Sequence, residues 1–290
     1  MKYRVTCNTD DNFVQHCCVM LCSLFENNKD MIFEVYVLTK HLSDKNIEAI
    51  KSLAVRYGNS VVFCWVDEVK LEGVKFRKNR PLTKAAYYRI LLPEILPNDV
   101  SQILYLDCDI VVLGSVKELY DIDLEGTALA ACRDISPYTE LHRRQLNLDM
   151  RDATFCSGVM MINVEYWRNT HAEQKLLDYA KQDRAVVYLH DQDALNFVFR
   201  NKWFMLPYKW NKTARSYAVL DPLQRYFDIE EYVFTPRVLH FASSLKPWFD
   251  VWFPERKFYI KYLILSNHLT IRYSIATKSF KINAKHQKGM

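Results

Sequence analysis

The stretch ILYLDCDIVVL, Ile103 to Leu113, decides the fold: an apolar run is interrupted by Asp107-Cys108-Asp109 and resumes at once. Apolar residues on both sides bury the backbone but cannot solvate two charges, so the pair needs a partner. In an open α/β sheet ligands bind beyond the carboxyl ends of strands, where this triplet falls. Alternate residues of an extended chain point the same way, so Asp107 and Asp109 can present both carboxylates to one hard cation, Mn²⁺ or Mg²⁺, that also holds phosphate oxygens. An isolated Asp-x-Asp is weak by itself, because acids cluster in many solvated turns.

Outward from this strand the hydrophobic period switches repeatedly between two and 3.6. Strand-like runs occur at Tyr3 to Cys7, Ile32 to Leu38, Val61 to Val66, Ile103 to Leu106, Ala128 to Cys132 and Val159 to Ile162. Helical spacing covers Phe13 to Glu26, Ser43 to Tyr57 with Ser43 as N-cap, Glu165 to Lys181 and Asp191 to Arg200. This alternation predicts an α/β fold with a doubly wound sheet. The chain has 290 residues, of which 50% are hydrophobic and 25% charged, which excludes disorder. Its six glycines are too scattered for G-x-G-x-x-G or a P-loop, so standard dinucleotide binding and P-loop ATP hydrolysis drop out.

Charge is unevenly spread. From Glu255 to the end, eight Lys/Arg oppose one acid, giving +7, whereas residues 1–254 carry −2. The chain is therefore divided into a core domain, 1–254, and a helical, basic and aromatic C-terminal extension, 255–290. The extension suits peripheral contact with an anionic membrane face; a solvated basic helix packed on its own domain is the alternative. No nucleic-acid partner is expected. No apolar run approaches the ~18 residues needed to span a bilayer, and the first residues lack a signal-peptide core, so a cytoplasmic protein is expected. The eight cysteines lie mostly in apolar runs without C-x-x-C pairs and read as reduced core residues.

Two families carry an apolar strand ending in D-x-D. Asp107-Cys108-Asp109-Ile110-Val111 is similar to the D-x-D-x-[TV] motif of haloacid-dehalogenase-type phosphatases, which would make Asp107 a nucleophile. That fold normally begins with this strand and later supplies a Gly-Asp pair; here about a hundred residues precede it and no Gly is followed by Asp. The chain more closely resembles the retaining glycosyltransferases of family 8, the group of bacterial lipopolysaccharide galactosyl- and glucosyltransferases and glycogenin, in six ordered blocks over roughly residues 3 to 250. The resemblance implies a GT-A type, Rossmann-like nucleotide-sugar-binding core with a mixed, mostly parallel sheet.

The resemblance also implies roles for particular residues. In CNTDDNF, Asp10 would meet the uracil edge, Asn12 the ribose and Phe13 the base face; the structural alternative is a helix start with Asp11 as cap and Phe13 in the core. In LTKAAYYRILLPEILP, Leu82 to Pro97, Arg89 would contact nucleotide or sugar. Asp107 and Asp109 would hold Mn²⁺ (or Mg²⁺) across the diphosphate, with His240 of LHFASSLKPW as third protein ligand and Lys246 on the diphosphate. Cys108 replaces the usual aliphatic residue between the acids, and a thiol so close to the cation would invite oxidation or thiophilic metals. Asp134 of AACRDI would face a sugar hydroxyl. In FCSGVMMINVEYW, Cys156 stands where relatives commonly carry a sugar-contacting Asn, next to Ser157, and Gly158 would allow close backbone approach to the sugar. Asp191 and Gln192 of LHDQDALNF would face the anomeric carbon, and Ser243 stands near the usual position of a glycine.

Together these imply transfer of a galactose or glucose from a UDP-hexose donor to a glycan or lipid-linked saccharide acceptor, with retention, in lipopolysaccharide or other cell-surface glycan synthesis. Double displacement needs a carboxylate on the opposite sugar face; Gln192 is a neutral amide, which favours front-face transfer, with Asp193 or Asp191 as the alternative nucleophile. A non-catalytic nucleotide-sugar or glycan binder of the same fold is the competing reading.

Overall fold

The computed structural model describes residues 2–75, 84–135, 143–144, 146–149, 152–182, 189–214, 235–243, 245–253 and 255–267, and the backbone alone over 269–274 and 279–284. Leu82 and Thr83 of the Arg89 block, Ser244, and Lys278, Lys285 and Lys288 of the extension lie outside the described residues.

The strands in chain order are β1 (Tyr3–Asn8), β2 (Phe33–Thr39), β3 (Ser60–Trp65), β4 (Gln102–Leu106), β5 (Ile110–Val112), β6 (Leu129–Arg133), β7 (Phe155–Asn163), β8 (Trp203–Leu206), β9 (Lys212–Thr213), β10 (Val238–His240), β11 (Leu269–Ser274) and β12 (Ser279–Ala284). The main sheet has the order β3-β2-β1-β4-β7-β6-β8. Its first four strands are parallel and β7 is antiparallel to both neighbours, so the sheet is mixed. After moving outward from β1 to β3 the chain returns to β4 on the other side of β1. The β1–β4 junction is therefore the topological switch point, where crevices form.

Both sheet faces are apolar, as strands covered on both sides require. Val5, Cys7, Val35, Leu104, Leu106 and Met161 enter one core cluster, while Tyr36, Leu38, Ile103, Tyr105 and Met160 enter the other. Helix Val14–Glu26 buries eleven of its thirteen residues. A helix apolar nearly all round must be covered on every side: β5 and helices Asp44–Arg56 and Arg256–Leu265 pack against it.

Helix Arg256–Leu265 begins the expected extension. It buries Tyr259, Tyr262 and Leu263, and the Tyr262 hydroxyl accepts from Asn27 Nδ2 at 2.7 Å. The extension then continues as the hairpin β11–β12 rather than as helix. The expected helix at 165–181 is two, Val164–Asn169 and Ala172–Lys181. The break is at His171, whose φ of 52° is left-handed.

A small second sheet, β5-β10-β9, completes the site. β10 runs antiparallel to β5 with His240 opposite Ile110, and Phe241 N–H donates to Asp109 O at 2.9 Å. This register sets His240 beside the acids across 131 residues of sequence (240 − 109).

Candidate active site

Asp107 and Asp109 leave β4 at the switch point and meet His240. One ligand atom from each lies within 4.8 Å of the others. His240 Nε2 is 3.2 Å from Asp109 Oδ1 and 3.8 Å from Asp107 Oδ2. On the other edge of the imidazole, Nδ1 is 3.0 Å from Asn211 Oδ1. With Nδ1 held at that amide, the ring turns its Nε2 edge to the acids, where it donates a proton to Asp109 and, once that proton is displaced, could ligate a cation. Two carboxylates and one imidazole fit a divalent cation of mixed oxygen and nitrogen preference.

Cations of the protein share this cluster. Lys246 Nζ donates to Asp109 Oδ2 and to Phe241 O, both at 2.6 Å. Burial alone would raise the Asp109 carboxyl, but Lys246 and His240 outweigh it and hold it well below the usual range. Burial would likewise lower His240, yet the Asp109 carboxylate holds the imidazole up at about 10.

Arg89, on the 3₁₀ helix Lys84–Leu91, is buried at the centre. Its Nη2 donates to Asp107 Oδ1 at 2.7 Å and its Nη1 to Ser157 O at 2.7 Å. Its Nε lies 3.1 Å from Asp191 Oδ2. The guanidinium also sits 4.1 Å from the centroid of the Tyr105 ring, whose hydroxyl donates to Asp107 Oδ1 at 2.7 Å. Arg89 thus holds two acids and the β7 backbone in fixed relation. Burial is the largest influence on Asp191 and raises it to about 7 against the lowering effect of Arg89.

Helix Asp191–Val198 brings Gln192 to β7. The residue before it, His190, has φ 58° and ψ −117°, a strained conformation of a kind that costs about 1–3 kcal/mol and clusters at functional sites. Asn196, one turn after Gln192, ties the helix down: its Oδ1 accepts from Phe155 N–H at 2.8 Å and its Nδ2 donates to Phe155 O at 2.9 Å. Gln192 Oε1 then accepts from Ser157 N–H at 2.9 Å, and its Nε2 donates to Asp134 Oδ2 at 3.3 Å. Cys156 Sγ approaches His240 Nδ1 at 3.9 Å, joining this polar chain to the acid cluster.

Gly158 lies directly against His240. A Cβ there would lie 2.2 Å from His240 Cε1 and 3.0 Å from Asp107 Oδ2, so the imidazole packs on the bare Cα. In the β1 loop, Asp10 Oδ1 rather than Asp11 accepts from Asn12 and Phe13 N–H, at 3.0 and 3.1 Å. Asp11 instead holds Ser43 and Asn46, accepting from Ser43 N–H at 2.9 Å. Phe13 is 37% exposed, so its ring is not in the core. It meets Trp248 edge-on at 6.0 Å, which joins the β1 loop to the segment carrying His240 and Lys246. Asn12 is exposed in this loop.

The expected site residues outside this loop are thus linked through direct contacts, except Cys108, whose Sγ donates to Asn8 O at 3.1 Å instead of facing the acids' partners. Tyr105, Asn196, Asn211 and Trp248 belong to the same constellation and were not expected. Only Tyr105 carries a sequence signal, since it precedes Asp107 by two on the same strand face.

Residues 4–251 match the family model described as glycosyl transferase family 8. The chain belongs to that family. It is a glycosyltransferase, and the phosphatase reading of the D-x-D falls with this assignment. Among curated relatives, it is 29% identical over 280 residues to general stress protein A of Bacillus subtilis, covering 92% of this chain and 94% of that one. It is 28% identical over 255 residues to a lipopolysaccharide 1,2-glucosyltransferase of Escherichia coli, covering 86% and 74%. Among solved structures, the galactosyltransferase LgtC in complex with donor and acceptor sugar analogs superposes with a TM-score of 0.82 at 25% identity, covering 90% of this chain and 95% of that one. The GT-A core expected from the resemblance is the fold observed.

Proposed function

We propose that this family 8 glycosyltransferase moves a hexose, galactose or glucose, from UDP to a glycan or lipid-linked saccharide acceptor with retention of anomeric configuration, in the assembly of lipopolysaccharide or another cell-surface glycan. The observation that carries this is the meeting of Asp107, Asp109 and His240 with the Gln192–Ser157 and Gln192–Asp134 hydrogen bonds in one crevice. Asp107, Asp109 and His240 would hold Mn²⁺ (or Mg²⁺), which when bound offsets charge on a diphosphate. Lys246 reaches the same place and would neutralise further charge as UDP departs. Asp10, Asn12 and Phe13 at the β1 loop would take the uridine.

Gln192 shapes the transfer. Its amide is neutral and is held by Ser157 and Asp134, so it cannot act as a displaced carboxylate would. The sugar–phosphate C–O bond breaks with its electron pair on the phosphate oxygen, and the acceptor hydroxyl attacks the same face. Its proton passes to the departing phosphate oxygen. Asp191 and Gln192 stabilise the positive sugar centre between these events, while Cys156 and Asp134 border the hexose.

The body over 1–254 would be the catalytic unit and 255–290 a peripheral contact with an anionic membrane on its cytoplasmic side. No helix among the described residues is long and apolar enough to cross a membrane. In support of surface contact, Phe249, Val251 and Trp252 are 70, 64 and 87% exposed immediately before Arg256 and Lys257.

The deciding experiment is UDP release from a panel of UDP-sugars, with Mn²⁺ and with EDTA. Release from one hexose donor only with the cation is expected. Absence of release from every donor, with the nucleotide-sugar still bound, would leave a binder of the same fold.

A further inference from the structure

Behind the acids lies a second cluster with different chemistry. Cys108, between Asp107 and Asp109, meets Cys7 at the end of β1 and Cys17 in the first turns of helix Val14–Glu26. The three sulfurs lie within 4.8 Å of one another, and Cys7 and Cys17 are 3.7 Å apart. All are free thiols; Cys7 and Cys17 are fully buried and Cys108 is 6% exposed. Scattered core cysteines behave as small hydrophobes. Three sulfurs converging from three separate elements are instead a preformed ligand set for a soft centre.

Spacing and charge say which centre fits. Three sulfurs bonded at about 2.3 Å to one pyramidal centre sit about 3.5 Å from each other; Cys7 and Cys17 are 3.7 Å apart and all three sulfurs lie within 4.8 Å, so a small closure completes the set. Binding converts three thiols to thiolates. A monovalent or divalent ion would leave net negative charge in an apolar cluster adjoining two carboxylates, which is unfavourable. A trivalent centre leaves none.

We propose that Cys7, Cys17 and Cys108 form a three-coordinate site for a trivalent thiophilic metalloid of the arsenite class, separate from the acid cluster that shares the same tripeptide. The exchange balances without oxidation or reduction. Three As–O bonds of arsenous acid break, three As–S bonds form, and three waters leave carrying the thiol protons. Cys108 gives up its donation to Asn8 O, now 3.1 Å away. Cys108 is the least buried of the three and so the point of entry from the crevice. Because Cys7 immediately precedes the β1 loop and Cys108 joins the two acids, occupancy clamps both sides of the switch point.

The test is arsenite titration of the full chain, kept reduced with a phosphine, read by native mass spectrometry. One arsenic per chain with three hydrogens lost is expected. Cys17→Ser should weaken uptake by about a hundredfold, through loss of one of three linked ligands, and Cys22→Ser on the same helix should not. Cys7→Ser serves in place of Cys17→Ser if the latter fails to fold. Loss of only two hydrogens, equal uptake by Cys17→Ser, or tighter binding of Cd²⁺ than of arsenite by the same three thiols would overturn the assignment. None of these readouts depends on the transferase reaction.

Discussion

The two ends of the crevice are held by different forces. At one, Asp107, Asp109, His240 and Lys246 are set by charge against charge, with His240 Nε2 3.2 Å and Lys246 Nζ 2.6 Å from Asp109. At the other, Asn196, Ser157, Gln192 and Asp134 are joined by hydrogen bonds that run through backbone groups of β7 and two neutral amides. Removing a member of the first end leaves an uncompensated charge in a poorly solvated place. Removing Gln192 from the second leaves the Ser157 N–H and one Asp134 oxygen each short of a hydrogen bond, a smaller cost of about 1–2 kcal/mol. Arg89 is the tie between them, since it holds Asp107 on one side and Ser157 and Asp191 on the other.

The largest effect is expected from Asp107→Asn. It keeps an acceptor for Arg89 and Tyr105 but removes a ligand charge, so cation-dependent UDP release should fall by about 10²–10³-fold with an unchanged circular dichroism spectrum. Release within tenfold of the parent at saturating Mn²⁺ would break the assignment of the charged end. Next, Asp109→Ala should cost about 3 kcal/mol of stability by leaving Lys246 and His240 without their carboxylate, whereas Gln192→Ala, which frees Ser157 N–H and Asp134, should cost about 1–2 kcal/mol. Denaturant midpoints of the two variants compare the ends directly, and equal losses would erase the distinction drawn between them.

Gly158→Ala probes the seam. Its Cβ would overlap His240 Cε1 at 2.2 Å, so the imidazole must move from the acids; a loss of about 1–3 kcal/mol is expected, with a weaker response of the melting temperature to added Mn²⁺. The smallest effect is a pH dependence. A carboxyl raised on folding from its ordinary 3.8 to about 7, as Asp191 is, favours the fold while protonated. That contribution is lost as pH rises through this interval. Asp191→Asn should therefore gain melting temperature relative to the parent between pH 5 and pH 8, measured in EDTA. A gap that is constant, or that moves the other way, would show that Arg89 governs Asp191 more than burial does.

Much of the architecture was legible because it is local. The six strands read from short apolar runs are β1–β4, β6 and β7, each within a few residues of the expected bounds, because both faces of this sheet must be apolar. The helices at Val14–Glu26 and Asp44–Arg56 followed from 3.6-residue spacing. What escaped reading is short or non-local. β5, β9 and β10 have three, two and three residues, too few to show a period, and they exist because they pair with one another. The break at His171 is marked by neither glycine nor proline, and Asn211 lies in a segment without periodicity.

The order of residue types along the chain determined the alternating α/β plan, the apolar strand delivering Asp107 and Asp109 to a sheet edge, and the separate blocks that carry Arg89, Gln192 and His240. These rest on neighbours in sequence, where side-chain period and burial act within one element. Only the tertiary structure decided that β10 pairs with β5 in the register that sets His240 against the acids, that Asn211 holds the opposite edge of the His240 ring, and that Cys7, Cys17 and Cys108 converge. Each depends on backbone pairing or packing between segments far apart in the chain, whose partners are chosen by the geometry of the whole sheet and leave no periodic trace in either segment alone.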